Sequence, residues 1–429
     1  MKIPQGRTSE ATMKTAISQT LSAAFSIAAI ALVLTTSLGA QTETVLHSFT
    51  GGSDGIDPDG LAFDTKGNLY GFTWSGGEFG WGTVFLLTPT SGGWTETVVY
   101  SFKGASDGEF PQGNPVIDGF GNIYGTTAAG GLEGYCFNNS CGTVFRLSPT
   151  SSGWQHEVLY KFTGLADGGG PNPGLASDAA GNLYGATLFG GDSKCYGGCG
   201  VVWEVSQVTE GNWLETVLHT FADGADGAFP NGSVVLDRAG NIYATANGGG
   251  FYNFGAVFEL SRGAVGWKPT KFYEFTGKAD GNAPVANLVL DGVGNVFGVT
   301  ASGGPHTLGT VYELSPSGVG SWKVTTLFSF DSAQGYAPTS VALSPGDNLF
   351  GTTEFGGDSG CYGYVAGCGV VYELSPQSSG SKESLRYAFA GSGGAFPFSN
   401  VVFDPEGNFY GTTSEGGPYG YGVVFQIMP

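Results

Sequence analysis

The segment Asp64-Thr-Lys-Gly-Asn-Leu-Tyr-Gly71 recurs at 118–125, 178–185, 237–244, 291–298, 344–351 and 404–411, with its Asn at 68, 122, 182, 241, 295, 348 and 408. The copies lie 53 to 60 residues apart and fill 41–429, leaving nothing over for a second domain. A unit of that length cannot bury a core by itself and must stack on its neighbours. Each copy carries four strand signals. A short apolar run precedes the turn (Leu61-Ala-Phe63, Val234-Val-Leu236, Val401-Val-Phe403), and is expected to be buried on both faces. The Asn-Leu-Tyr segment follows, then Gly-x-Val-aromatic with Phe85, Phe145, Trp203, Phe258, Tyr312, Tyr372 and Phe425. The fourth alternates apolar and polar, as in Glu96-Thr-Val-Val-Tyr-Ser-Phe102, with a Trp eight residues before the Phe in five copies.

Four antiparallel strands repeated seven times predict a seven-bladed all-β propeller. The repeat begins with a fourth-strand sequence, Glu43–Phe49, and ends with a third-strand sequence, Gly422–Ile427. The N-terminal strand is therefore expected to complete the last blade, which satisfies two otherwise open sheet edges. In Asp-x-x-Gly-Asn the Asp can accept backbone N–H bonds and the Gly can turn left-handed. In the sixth copy Asp347 replaces that Gly, one of the few residues that tolerate the conformation. These aspartates read as turn formers, not catalytic acids.

Composition agrees. Gly is 77 of 429 residues and aromatics are 14%, whereas charged residues are only 12%. Disordered polyelectrolytes are poor in aromatics, and Gly-rich segments make poor helices. The net charge is −20, and 41–429 alone holds 13 basic and 35 acidic residues, a net of −22. Such a chain repels nucleic acid and anionic membranes, so neither is expected as a partner. Residues 1–40 read as a secretory signal: early basic residues, an apolar run from Leu21 to Leu34, then small residues up to Ala40, with Met13 an alternative start. The apolar run is short for a bilayer span, and Ile427-Met428-Pro429 offers no apolar tail. The expected product is a secreted or periplasmic monomer, free of the membrane once the signal is removed.

The combination of Tyr-Ser-Phe, Asp-Gly, Asp-x-x-Gly-Asn-Leu-Tyr-Gly-Thr-Thr, Gly-Gly and Gly-Thr-Val-Phe resembles the GloVer-type tandem repeat of secreted bacterial "choice-of-anchor" proteins. The resemblance spans 41–429. It implies a secreted repeat protein of unassigned activity and supplies no catalytic residues. The C-terminal anchor that such proteins often carry is not found here.

The loops between second and third strands vary most, and function tends to reside in variable loops on a rigid scaffold. Three of them hold Cys136 and Cys141, Cys195 and Cys199, and Cys361 and Cys368, which in a secreted chain read as local disulfides. Zinc is the alternative for the first two pairs. The same loops carry Trp81, Tyr135, Tyr196, Tyr252, Tyr362 and Tyr419, either packed locally or forming a platform for sugar rings. Asp-Gly recurs in the fourth-to-first loops at Asp54, Asp107, Asp167, Asp226 and Asp280, as ordinary turns or as calcium ligands. Acids that break the repeat are Glu78, Glu133, Asp192, Glu354, Asp358 and Glu415. His47 and His219 occupy a slot held elsewhere by Tyr and read as structural, while His156 and His306 show no evident partner. No nucleophile elbow, zincin motif, phosphate loop or other cofactor motif is present. The leading expectation is a non-catalytic module binding a neutral glycan. The alternatives are a polysaccharide- or sugar-derivative-active enzyme with acids over a central channel, and a structural or protein-binding surface protein.

Overall fold

The computed structural model describes residues 42–428 apart from 135, 137–139, 225–226, 265, 319–320, 358–360, 362–366 and 378–379; the expected signal segment lies outside the described residues. Seven antiparallel sheets form seven blades. Blade 1 runs from the axis outward as Ile56–Phe63, Leu69–Ser75, Thr83–Thr90 and Gly93–Ser101. Blade 7 is assembled from both ends of the repeat array: Ala395–Pro397 with Val402–Phe403, then Phe409–Glu415, Val423–Ile427 and, outermost, Glu43–Ser48. The closing register pairs Glu43 with Ile427 and Ser48 with Val423, as the order of strand signals requires.

The turns form as their residues dictate. In all six copies that begin with Asp, that side chain accepts both the backbone N–H and the side-chain amide of the Asn four residues on, at 2.7 to 3.0 Å. In the sixth, Ser344 Oγ takes over the backbone bond and Asp347 adopts φ 62°.

Three contacts between blades repeat around the ring, and each also crosses the seam between blades 7 and 1. The Phe that ends each outer strand meets the third-strand aromatic of the next blade, from Phe49–Phe85 through Phe389–Phe425, with centroids 4.9 to 5.6 Å apart. These Phe side chains are fully buried, and such ring pairs add about 0.5–1.5 kcal/mol beyond their area. Outer-strand Trp residues reach back to the preceding blade, as Trp154 does to Tyr70 and Trp94 to Tyr410. The third contact is absent from the motif reading. A Pro near the start of every inner strand lies on the Gly that opens the third strand of the preceding blade; a Cβ at Gly82, Gly142, Gly200, Gly255, Gly309, Gly369 or Gly422 would come within 2.6 Å of that proline's Cδ. Only Gly permits blades to approach so closely here.

The residue before each of these prolines is left-handed, with φ between 52° and 60°: Asp57, Phe110, Gly170, Phe229, Ala283, Ala337 and Phe396. Only one is Gly, so the ring holds six strained positions. Each donates its N–H to a carbonyl of the preceding blade at 2.8 to 3.2 Å, which holds the conformation in place.

The inner apolar runs meet the burial expectation only in part, with Leu61, Val234, Leu288 and Val401 buried. Val116, Ile117, Val235, Leu236, Val402 and Phe403 are half-buried, not enclosed on both faces. The innermost strand of a propeller faces the axial channel, so it has a blade on one side and an opening on the other.

Candidate functional site

The second-to-third loops and the fourth-to-first loops share one face and are bonded to one another. The second Gly of the loop-opening pair donates to a fourth-to-first carbonyl in six blades, as Gly77 does to Gly52 O at 3.0 Å and Gly304 to Lys278 O at 2.7 Å. The six cysteines pair within their own loops, with Cα separations of 5.0, 5.0 and 5.5 Å, and none is free.

The rim aromatics divide into two groups. Trp81 lies edge-on to Phe110 at 5.4 Å and over Gly104, whose Cβ, if present, would meet the indole at 2.6 Å. Tyr421 and Phe254 cover Gly51 and Gly277 in the same way. Tyr196, Tyr252 and Tyr419 instead project into solvent. Each of the three stands on a different blade, and the structure brings no two of them together. Tyr135 and Tyr362 lie outside the described residues. Among those described, ten Phe, Tyr and Trp side chains are exposed. Nine belong to this face: Trp74, Phe79, Trp81, Tyr196, Phe251, Tyr252, Phe398, Tyr419 and Tyr421. Phe120, in an Asp-x-x-Gly-Asn turn, is the exception.

The Asp-Gly carboxylates are engaged within the protein. Asp54 accepts the N–H and hydroxyl of Thr50 at 2.7 Å and faces His47 Nε2 at 3.5 Å. Asp107 accepts the Tyr100 hydroxyl at 2.9 Å and Lys103 N–H at 2.8 Å. Asp167 accepts Tyr160 and Thr163; Asp280 accepts Tyr273 and Thr276. Asp226 lies outside the described residues. Among the described residues no three His, Cys, Asp or Glu side chains gather as a metal would require. Burial alone would raise the Asp54, Asp107 and Asp280 carboxyls, but these donors outweigh it and hold all three below the ordinary range. His156, expected to stand alone, has a partner: its Nδ1 lies 3.2 Å from Asp107, and its ring stacks on Tyr100 at 4.6 Å.

The next blade supplies another acid to several of these seams. Glu96, Glu215 and Glu43 hold equivalent registers opposite Leu87, Val205 and Ile427, and His156 takes that place opposite Leu147. Burial pushes Glu96 and Glu215 up to about 7, with the charges of Asp54 and Asp167 adding to the effect. Burial raises Glu43 to about 7 against an opposing hydrogen bond from Tyr387. One carboxyl oxygen of each of the three is buried without a hydrogen-bond partner.

The repeat-breaking acids separate. Glu78, Glu133 and Glu415 are exposed on the rim, Asp192 caps its own loop through Lys194 N–H at 2.9 Å, and Asp358 lies outside the described residues. Glu354 alone of them lines a cavity at the mouth of the axial channel. Asp59, which the motif reading passed over, lines the same cavity and accepts the Gly113 N–H at 2.7 Å. Burial raises both carboxyls above the usual range. At the lip Asp57 is raised to about 6 by burial and by the charge of Glu415.

The position after the invariant proline shapes this cavity. It holds Asp59, Gln112, Asn172, Asn231, Val285, Thr339 and Phe398. Gln112, Asn172 and Thr339 donate across the seam to Pro171 O, Pro230 O and Pro397 O at 2.6, 2.6 and 3.0 Å, and of these only Thr339 also lines the cavity. Asp59, Asn231, Val285 and Phe398 line it too, and the cavity therefore lies toward blades 4 to 7 and 1. The available signal was the loss of repetition beside a proline that never changes.

Among curated proteins none matches the chain. Solved structures do. The extracellular domain of a protein assigned as a hybrid two-component system of B. thetaiotaomicron is 15% identical with a TM-score of 0.54; the match covers 91% of this chain and 42% of that one, so this chain spans about two fifths of its length. A candidate 6-phosphogluconolactonase of Bacteroides uniformis is 16% identical with a TM-score of 0.53, covering 83% of this chain and 89% of that one. The PQQ-bound aldose sugar dehydrogenase of Streptomyces coelicolor is 12% identical with a TM-score of 0.44, covering 90% and 98%. For the first two the likeness is one of fold. The sequence pattern of the Gloeobacter/Verrucomicrobia repeat matches residues 30–198, 133–365 and 269–429. Those overlapping matches take in every blade, and the chain belongs to the Gloeobacter/Verrucomicrobia repeat family.

Proposed function

We propose that this protein is a non-catalytic extracellular binding module that holds neutral carbohydrate on the face formed by the second-to-third loops. The observation that carries the reading is the placement of nine of the ten exposed aromatic side chains, among the described residues, on that one face. Aromatic rings offer flat apolar area with little side-chain entropy to lose. Three cross-linked loops lower the cost of ordering that face on binding. Tyr196, Tyr252 and Tyr419 stand on separate blades, which suits an extended chain touched at several points, each contact weak and the sum useful.

The test is a glycan array with the purified protein, followed by titration of the best hit against Trp81→Ala, Tyr196→Ala, Tyr252→Ala and Tyr419→Ala. A stacked ring is worth about 1 kcal/mol, so each loss should weaken binding roughly fivefold. Binding unchanged in all four folded variants, or no glycan bound at all, refutes the reading.

A further inference from the structure

The cavity at the channel mouth is a second candidate site, and its chemistry differs from that of the rim. It offers about 150 Å³ and opens to solvent, below the range of drug-sized ligand sites, which leaves room for one small molecule only. No Lys, Arg or His is among its lining residues. Its polar groups are chiefly neutral: the amides of Asn114, Asn231, Asn287 and Asn400 and the hydroxyl of Thr339. Each amide offers both donors and an acceptor. Asn287 is oriented by the protein, since its Oδ1 accepts the Ser233 N–H at 2.7 Å. Asn114 and Asn400 are half-buried, their side-chain amides make no hydrogen bond among the described residues, and both also line the next cavity along the axis. Apolar surface comes from Pro173, Val285, Pro338 and, at the exposed edge, the ring of Phe398.

The symmetry of the fold sharpens the case. The clasp of Pro on Gly and the bond from the left-handed residue are the same in all seven blades. The side chains that this clasp presents to the axis are not. Gln112 and Asn172 do not reach the pocket while Asp59, Asn231, Val285, Thr339 and Phe398 line it, so an asymmetric pocket sits inside a symmetric frame.

We infer that the channel-mouth cavity binds one small, uncharged, polyhydroxylated molecule of the size of a monosaccharide, with the Asn amides bonding hydroxyls and Phe398 covering an apolar ring face. An anion would meet Asp59 and Glu354 with no cation to offset them. The inference stands apart from the rim reading, because apart from Phe398, which edges both, the residues it names are not those of the loop platform.

Saturation-transfer NMR on the full protein tests it, with glucose, galactose, mannose, arabinose and inositol as neutral probes and glucose 6-phosphate as the anionic probe, and calorimetric titration with calcium chloride supplies the cationic one. At least one neutral probe should bind. The double variant Asn114→Leu/Asn400→Leu, which removes no side-chain hydrogen bond among the described residues, should weaken it tenfold or more, while Trp81→Ala and Tyr419→Ala leave it unchanged. Should the double variant not fold, Val285→Trp fills the same cavity from an apolar position and should have the same effect. The inference is overturned if no neutral probe binds, if binding survives in the folded cavity variant, if the rim variants abolish it, or if only the phosphate or calcium binds.

Discussion

Glu43, Glu96 and Glu215 should make the protein lose stability as the pH rises from about 4.5 to 7. In the unfolded chain a glutamate gives up its proton near 4.5, whereas in the folded protein these three hold it to about 7. Between those values the unfolded state binds fewer protons than the native state, so stability falls with pH and levels off above 7. A wholly buried group shifted this far would account for about 3 kcal/mol. These side chains are only partly enclosed, and solvent screening reduces the figure to about 1 kcal/mol each, or about 3 kcal/mol together. The opposite limb belongs to Asp54, Asp107 and Asp280, whose lowered values add stability that disappears as the pH falls below about 4. Maximum stability is therefore expected between about pH 4 and 5. The double variant Glu96→Gln/Glu215→Gln keeps the shape and removes two of these three glutamate titrations. Urea melts at pH 4.5 and 7.5 measure the effect. The variant should lose roughly 2 kcal/mol less than the parent between the two conditions, at equal m-values. If parent and variant show the same change with pH, the seam carboxyls are not what the protein titrates.

Two further outcomes follow from the contacts between blades. Deleting Glu43–Phe49 removes the outer strand of blade 7, the buried Phe49 and its contact with Phe85; it leaves an open edge beside Val423–Ile427, so the shortened protein should aggregate or melt at least 10 °C lower by roughly any measure of a lost core strand. A truncated protein melting with the parent would mean that the ring closes otherwise. Gly142→Ala places a methyl against Thr127 O and Pro171 Cδ at φ 83°, and should cost about 2–4 kcal/mol in a denaturant melt, whereas Gly181→Ala, at φ 83° with nothing within 4 Å, should cost about 1. Equal losses would show that backbone conformation alone accounts for the glycine at 142.

How much of this was legible in the sequence depends on whether a feature lives inside one repeat or between two. The Asp64–Asn68 turn is complete within five residues, so its bonds could be read from Asp-x-x-Gly-Asn. Ring closure was also legible, because strand order alone places Glu43–Ser48 beside Val423–Ile427. The clasp of Pro171 on Gly142 was not: each residue has an ordinary local explanation, Pro as an edge residue and Gly as a turn former, and only their meeting across a seam explains both. His156 failed for the same reason. It stands where Glu96 and Glu215 stand in their own blades, and its partner Asp107 belongs to the loop leaving blade 1. Asp59 was hidden differently. The repeat hides it by drawing the eye to what recurs, and Asp59 occupies the position where seven copies carry six residue types. In a ring of near-identical blades the recurring residues hold the frame, because each must make the same contact seven times. A departing residue can keep such a contact, as Ser344 does in the sixth turn, but where several departures face one axis, the space they enclose is the part of the molecule that the frame does not explain.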